Sequence, residues 1–145
     1  FKRLRVLSDK TSLKLDFIAD RVPRIGLPVA RGHVYVDTVR NILSNKVCAI
    51  VGRDEARDVA DLLYIARKRS FPWADILSDV GKKQAVDREE LLYRLETFPV
   101  NALSSVPFLY DEPLASYQSW LRGVIADIGR GGDNSVAELA SPKIL

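Results

Sequence analysis

Apolar and polar residues alternate at the start of the chain, in Leu4-Arg5-Val6 and again in Leu13-Lys14-Leu15-Asp16-Phe17. That two-residue period is the signature of a strand with one covered face. Residues 1–8 and 12–19 are therefore expected as two strands of a hairpin, turning at Asp9-Lys10-Thr11. Pro23, Gly26, Pro28 and Gly32 mark 20–32 as loop, and His33-Val34-Tyr35-Val36 is a short strand candidate.

From there the apolar period lengthens to that of a helix. Val39, Ile42, Leu43, Val47, Ile50 and Val51 form one stripe over 38–51, with Asp37 as the expected N-cap and Gly52 as the stop. Asp54 is placed to cap a second helix over 55–68, whose buried stripe is Val59, Leu62, Leu63 and Ala66. Pro72 opens a third, carried by Trp73, Ile76, Leu77 and Val80 to Gly81. Asp87 caps a fourth from Arg88 to Thr97, and after a Pro99–Pro107 connection a fifth runs from Pro113 to about Gly129. The glycine-rich stretch from Gly131 ends it, and 131–145 reads as a loose tail.

The expected class is α+β: a β-hairpin or sheet edge followed by a mainly helical half. The divisions expected are 1–69, 70–130 and the tail 131–145. Hydrophobic residues are 47% and charged residues 28% of 145, a globular balance long enough for a real core. The net charge of +3 suits a polyanionic ligand and equally a solvated surface. One cysteine, Cys48, excludes an internal disulfide, and with His33 as the one histidine a Cys/His zinc site is not expected. No apolar run approaches the roughly 18 residues of a membrane helix, and no signal peptide is visible, so the expectation is a cytoplasmic protein without membrane contact. The chain starts at Phe1 inside a strand pattern and lacks methionine, which suggests a fragment of a longer protein.

Four side chains break the pattern in ways that ask for partners. Asp16 is a carboxylate in mid-strand, on the face opposite Leu13, Leu15 and Phe17. It needs a metal, a substrate proton or a basic group; Lys14, Lys10 or an arginine across the hairpin would serve. Lys46 interrupts an apolar helical stripe and must either reach outward or meet an anion. Asp58 and Asp61 repel one another at helical spacing unless a cation answers them. Arg53 and Arg57 are near enough in sequence to pair with them.

In this order the residues resemble the nucleotidyltransferase-like toxins of the AbiEii/AbiGii family. Leu13-Lys14-Leu15-Asp16-Phe17 is similar to that family's second motif, a strand ending in an aspartate. Val36-Asp37-Thr38 through Asn45-Lys46-Val47-Cys48-Ala49 is similar to the third, a helix with a lysine. Arg53-Asp54-Glu55-Ala56-Arg57-Asp58-Val59-Ala60-Asp61-Leu62-Leu63-Tyr64 is similar to the fourth. The first motif, Gly-Ser followed by Asp-x-Asp, is absent from these residues and is expected upstream of Phe1; without it the fragment alone would be inactive.

The resemblance implies a Mg²⁺-dependent nucleotidyltransferase that transfers a nucleotide from an NTP to RNA, tRNA ends included, or to protein. It implies a toxin restrained by a cognate antitoxin. Asp16 would be a metal ligand or hydroxyl-orienting base, Lys46 a phosphate contact, and Asp58 and Asp61 would orient that lysine or assist the base step. Arg53 and Arg57 would pair with these acids or with phosphate. The competing expectation is a non-catalytic helical module that binds nucleic acid or a protein through its basic clusters.

Overall fold

A computed structural model describes residues 1–19, 21–106, 112–139 and 141–144. Residue 20 of the expected loop, Pro107 of the expected connection, and positions 140 and 145 of the expected tail lie outside the described residues.

The fold is α+β, two antiparallel hairpins followed by helices. The first hairpin joins β1 (Lys2–Ser8) to β2 (Thr11–Phe17). Its register pairs Leu4 with Leu15 and Val6 with Leu13, while Arg3 faces Asp16 and Arg5 faces Lys14. Opposed residues share a face, so the alternation read from sequence separates an apolar face from a charged one. Both strands are exposed along their whole length. The second hairpin joins β3 (Val29–Arg31) to β4 (Val34–Val36) through Gly32-His33. Strand β3 falls where Pro28 and Gly32 suggest loop. It is three residues long, so punctuation outweighs any periodic signal.

The core begins at α1 (Val39–Gly52). Thr38, not Asp37, caps it: the Thr38 hydroxyl accepts from the Asn41 N–H at 3.0 Å, and Asp37 instead takes the Asn41 side-chain amide. Helix α1 packs on α2 (Ala56–Lys68), α3 (Trp73–Lys83) and α4 (Arg88–Glu96). Helix α5 (Leu114–Arg130) packs on α2, α3 and α4 and on the 3₁₀ turn Val100–Ser105. The backbone before α2 is extended at Glu55 and Asp54 turns away to Arg94, so the expected Asp54 cap is not formed.

One cluster of buried apolar residues runs through these helices, from Leu43 and Val47 through Leu62, Leu63, Trp73 and Ile76 to Leu91, Leu95, Val124 and Ile128. The divide expected at residue 69 passes through the middle of this core. Trp73 is fully buried, edge-on to Phe71 at 5.0 Å, and its indole N–H has no hydrogen-bond partner among the described residues.

The segment after α5, read as a loose tail, lies against the bundle instead. Gly131 has φ of 66°, the left-handed cap that favours glycine, and turns the chain back. Asn134 is buried and donates to the carbonyls of Ala66 and Arg69, groups at the end of α2 that lack helical partners. Bridges at Pro72–Asp133 and Ser70–Lys143 hold the rest. Val136 approaches α5 so closely that a Cβ on Gly123 would meet it at 2.7 Å. None of this docking is periodic, which is why the pattern of apolar residues is silent about it. Arg67 and Lys68, part of a basic cluster, pair with Glu138 and so fasten the same segment.

Candidate functional site

Helix α1 brings Lys46 to the edge of its apolar stripe, and α2 offers Asp58 and Asp61 about one turn apart. The Lys46 ammonium lies 3.0 Å from Asp58 Oδ1 and also pairs with Asp61 Oδ2. Arg53, just past α1, donates from Nε to Asp58 Oδ2 at 2.8 Å. The cation demanded by two like charges at helical spacing is therefore Lys46. Four of the residues singled out from sequence meet here.

The settings of the two acids differ. The Asp58 side chain is 2% exposed and that of Asp61 43%. Burial pushes the Asp58 carboxyl upward, but hydrogen bonds from Arg53 and Lys46, aided by their charges, hold it below the ordinary carboxylate range. A carboxylate so held is a poor proton acceptor near neutral pH. Burial lowers the Lys46 ammonium, and its bonds to Asp61 and Asp58 more than restore it, so it stays charged. Chemically, the network presents a fixed cation with one N–H unengaged among the described residues and, in Asp61, an acid that solvent and ligand can reach.

Asp16 is not joined to this network. Arg3 holds it from across the hairpin with two bonds, Nε to Oδ1 at 2.6 Å and Nη2 to Oδ2 at 3.0 Å, and Lys14 lies 3.8 Å away. The bond from Arg3 lowers the Asp16 pKa below the usual carboxylate range. Arg57 is exposed and makes no ion pair among the described residues. Among the described residues no group of three or more His, Cys, Asp or Glu is placed to hold a metal. With both Asp16 oxygens engaged by arginine, the donor set does not fit a magnesium ion. No helix among the described residues is long and apolar enough to cross a membrane.

Among the described residues two further buried aspartates are fully partnered, Asp79 by two cations and Asp127 by one cation and a serine. Asp79 is fully buried between Arg40 and Lys82, the latter at 2.7 Å. Asp127, equally buried, takes Arg130 at 2.6 Å and the backbone N–H and hydroxyl of Ser135. Neither belongs to a motif named above.

Two clefts open beside Arg53. One, about 500 Å³, is lined by Ile50, Val59, Tyr93, Arg94 and Phe98 among others. The other, about 480 Å³, lies between the exit of β2 and the ends of α1 and α3, and contains Cys48 and Lys83. Lys46 lines neither. The sequence places the stop of this helix at Gly81, but α3 continues two residues further, to Lys83. Its partners are two asparagines and a backbone carbonyl remote in sequence, so no local spacing reveals it.

Comparisons with protein-family models, with curated proteins and with solved structures find no match to this chain.

Proposed function

We propose that the Lys46–Asp58–Asp61–Arg53 network is the phosphate-facing part of a nucleotidyltransferase site that moves a nucleotide from an NTP to an RNA acceptor. The observation that supports this is the meeting of Lys46 on α1 with both acids of α2, the encounter implied by the motif order. Asp58 and Arg53 would hold Lys46 in place, Lys46 would contact phosphate, and exposed Asp61 would yield to or orient the incoming group. The metal-binding elements of such an enzyme would have to come from outside these residues. Restraint by an antitoxin belongs to the same proposal.

A second reading has its own support: a helical module without catalysis, in which the network clamps α1 to α2. Both Asp58 oxygens are already engaged, and Asp79, away from any motif, is likewise buried between two cations.

The deciding experiment follows label from [α-³²P]NTP into RNA with the protein that carries this chain. Asp61→Asn removes the accessible acid with little effect on folding, since exposed pairs contribute at most about 1 kcal/mol. Transfer that falls by about 100-fold or more with an unchanged melting curve supports the enzyme. Transfer that is absent with every NTP, or untouched by Asp61→Asn and Lys46→Ala, leaves the clamp.

A further inference from the structure

The cleft of about 480 Å³ beside α1 has an unusual charge balance. Lys83 and Arg53 line it, together with Asn45, Gln84, Ile18 and Cys48, and none of its described lining residues is acidic. Lys83 is half-buried and directs its ammonium to Pro23 O at 2.9 Å, Asn41 Oδ1 at 2.6 Å and Asn45 Oδ1 at 2.8 Å. All three acceptors are neutral, and Lys83 makes no ion pair among the described residues. Its neighbour Lys82, by contrast, pairs with Asp79. Arg53 spends Nε on Asp58 and has no hydrogen bond described for its two Nη nitrogens.

A cation drawn partly out of water without a countercharge favours any anion that can enter. Asn45 both lines the cleft and holds Lys83, so an anionic oxygen can replace its carboxamide without disturbing the bonds to Pro23 and Asn41. Ile18 and Cys48 add apolar surface. The volume falls within the range of small-molecule sites, roughly 300–1,000 Å³.

We propose that this cleft binds a phosphorylated small molecule, its phosphate on Lys83 and Arg53 and its apolar part against Ile18 and Cys48. Lys46 does not line this cleft, though Arg53 belongs both to it and to the Lys46 network, and the proposal needs neither a metal nor the transferase reading. Asn41, Asn45 and Lys83 act together: the asparagines set the ammonium at the cleft, and the Pro23 carbonyl supplies its third acceptor.

Cys48 is the one cysteine of the chain, so its modification reports on this cleft alone. The test measures the rate at which a maleimide labels Cys48, with ATP, pyrophosphate or adenosine present and no divalent metal added. Saturable slowing by ATP and by pyrophosphate is expected, with adenosine weaker than ATP. Lys83→Gln should weaken the protection by about tenfold. Gln84→Glu, which removes none of the acceptors of Lys83 and places a carboxylate in the lining, should weaken it as well; this variant decides the question if Lys83→Gln melts early. No slowing at millimolar ATP and pyrophosphate overturns the proposal. So does slowing by adenosine equal to that by ATP, or protection that survives Gln84→Glu and a folded Lys83→Gln.

Discussion

Asp16 and Asp58 are both aspartates held by an arginine, yet they occupy opposite surroundings. Asp16 stands on a hairpin exposed along its full length, its side chain 30% exposed and that of its partner Arg3 52%. Asp58 lies under α1 with its side chain 2% exposed, both oxygens taken by groups from a neighbouring element. The same chemical pair is worth little in water, where screening and side-chain entropy cancel most of the attraction. Out of water the pair matters because of what its loss leaves behind: an uncompensated charge with no solvent to receive it. Resemblance of motifs gives the two residues equal weight, and burial separates them.

The largest way to break the comparison is at the Lys46–Asp58 pair. Lys46→Ala leaves the buried Asp58 with Arg53 alone, whereas Asp58→Ala leaves Lys46 its pair with Asp61 and leaves Arg53, 61% exposed, to solvent. We expect Lys46→Ala, which keeps Asp58 buried beside a single arginine, to cost the most in urea unfolding, approaching the about 3–5 kcal/mol of a broken buried pair, and Asp58→Ala to cost less. A loss below about 1 kcal/mol from Lys46→Ala would mean that water reaches Asp58 and that the contrast with Asp16 is false.

Acid titration sharpens it further. The folded pKa values of Asp58 and Asp79 lie below their unfolded values. Their contribution is therefore complete above about pH 4, the unfolded carboxylate value, and is lost as pH falls through the lower folded values. Unfolding midpoints followed by circular dichroism should hold steady down to about pH 4 and then drop. With Asp58→Asn the drop should be shallower, and an unchanged slope would remove Asp58 from the explanation.

The smallest effect is expected at Asp16. Asp16→Ala should leave the unfolding midpoint of the bundle unchanged, because its partners Arg3 and Lys14 are on the hairpin and the core begins at Leu43. A clear loss of cooperativity in the helices would show that the hairpin is coupled to the core.

The helices are legible in the sequence because their apolar stripes persist for several turns and because the residues that interrupt them are informative. Lys46 in a stripe and two aspartates at helical spacing each demand a partner, and they turn out to be one another's. Caps are less legible: Asp37 and Thr38 are both good caps, and only the direction of the Thr38 hydroxyl toward the Asn41 N–H separates them. Strand β3 and the docked segment after Gly131 escape because short backbone ladders, the buried Asn134 and pairs remote in sequence such as Glu138 with Arg67 and Lys68 hold them, and none of these leaves a period. Lys83 escapes for a related reason. Its anchors are uncharged and lie 38 to 60 residues away, so nothing near it in sequence announces a partner.

The lone indole N–H of Trp73 carries one more consequence. The Trp73 amide donates to Gly132 O at 3.1 Å, and Pro72 bridges Asp133, so this ring sits at the seam where the returning chain closes over the bundle. In apolar surroundings, with nothing to relax its excited state, the indole should emit at the blue end of the tryptophan range. With Trp120, the other tryptophan of the chain, replaced by phenylalanine, peeling the final segment away would redden that light before the helices melt, which makes Trp73 an optical gauge of the seam.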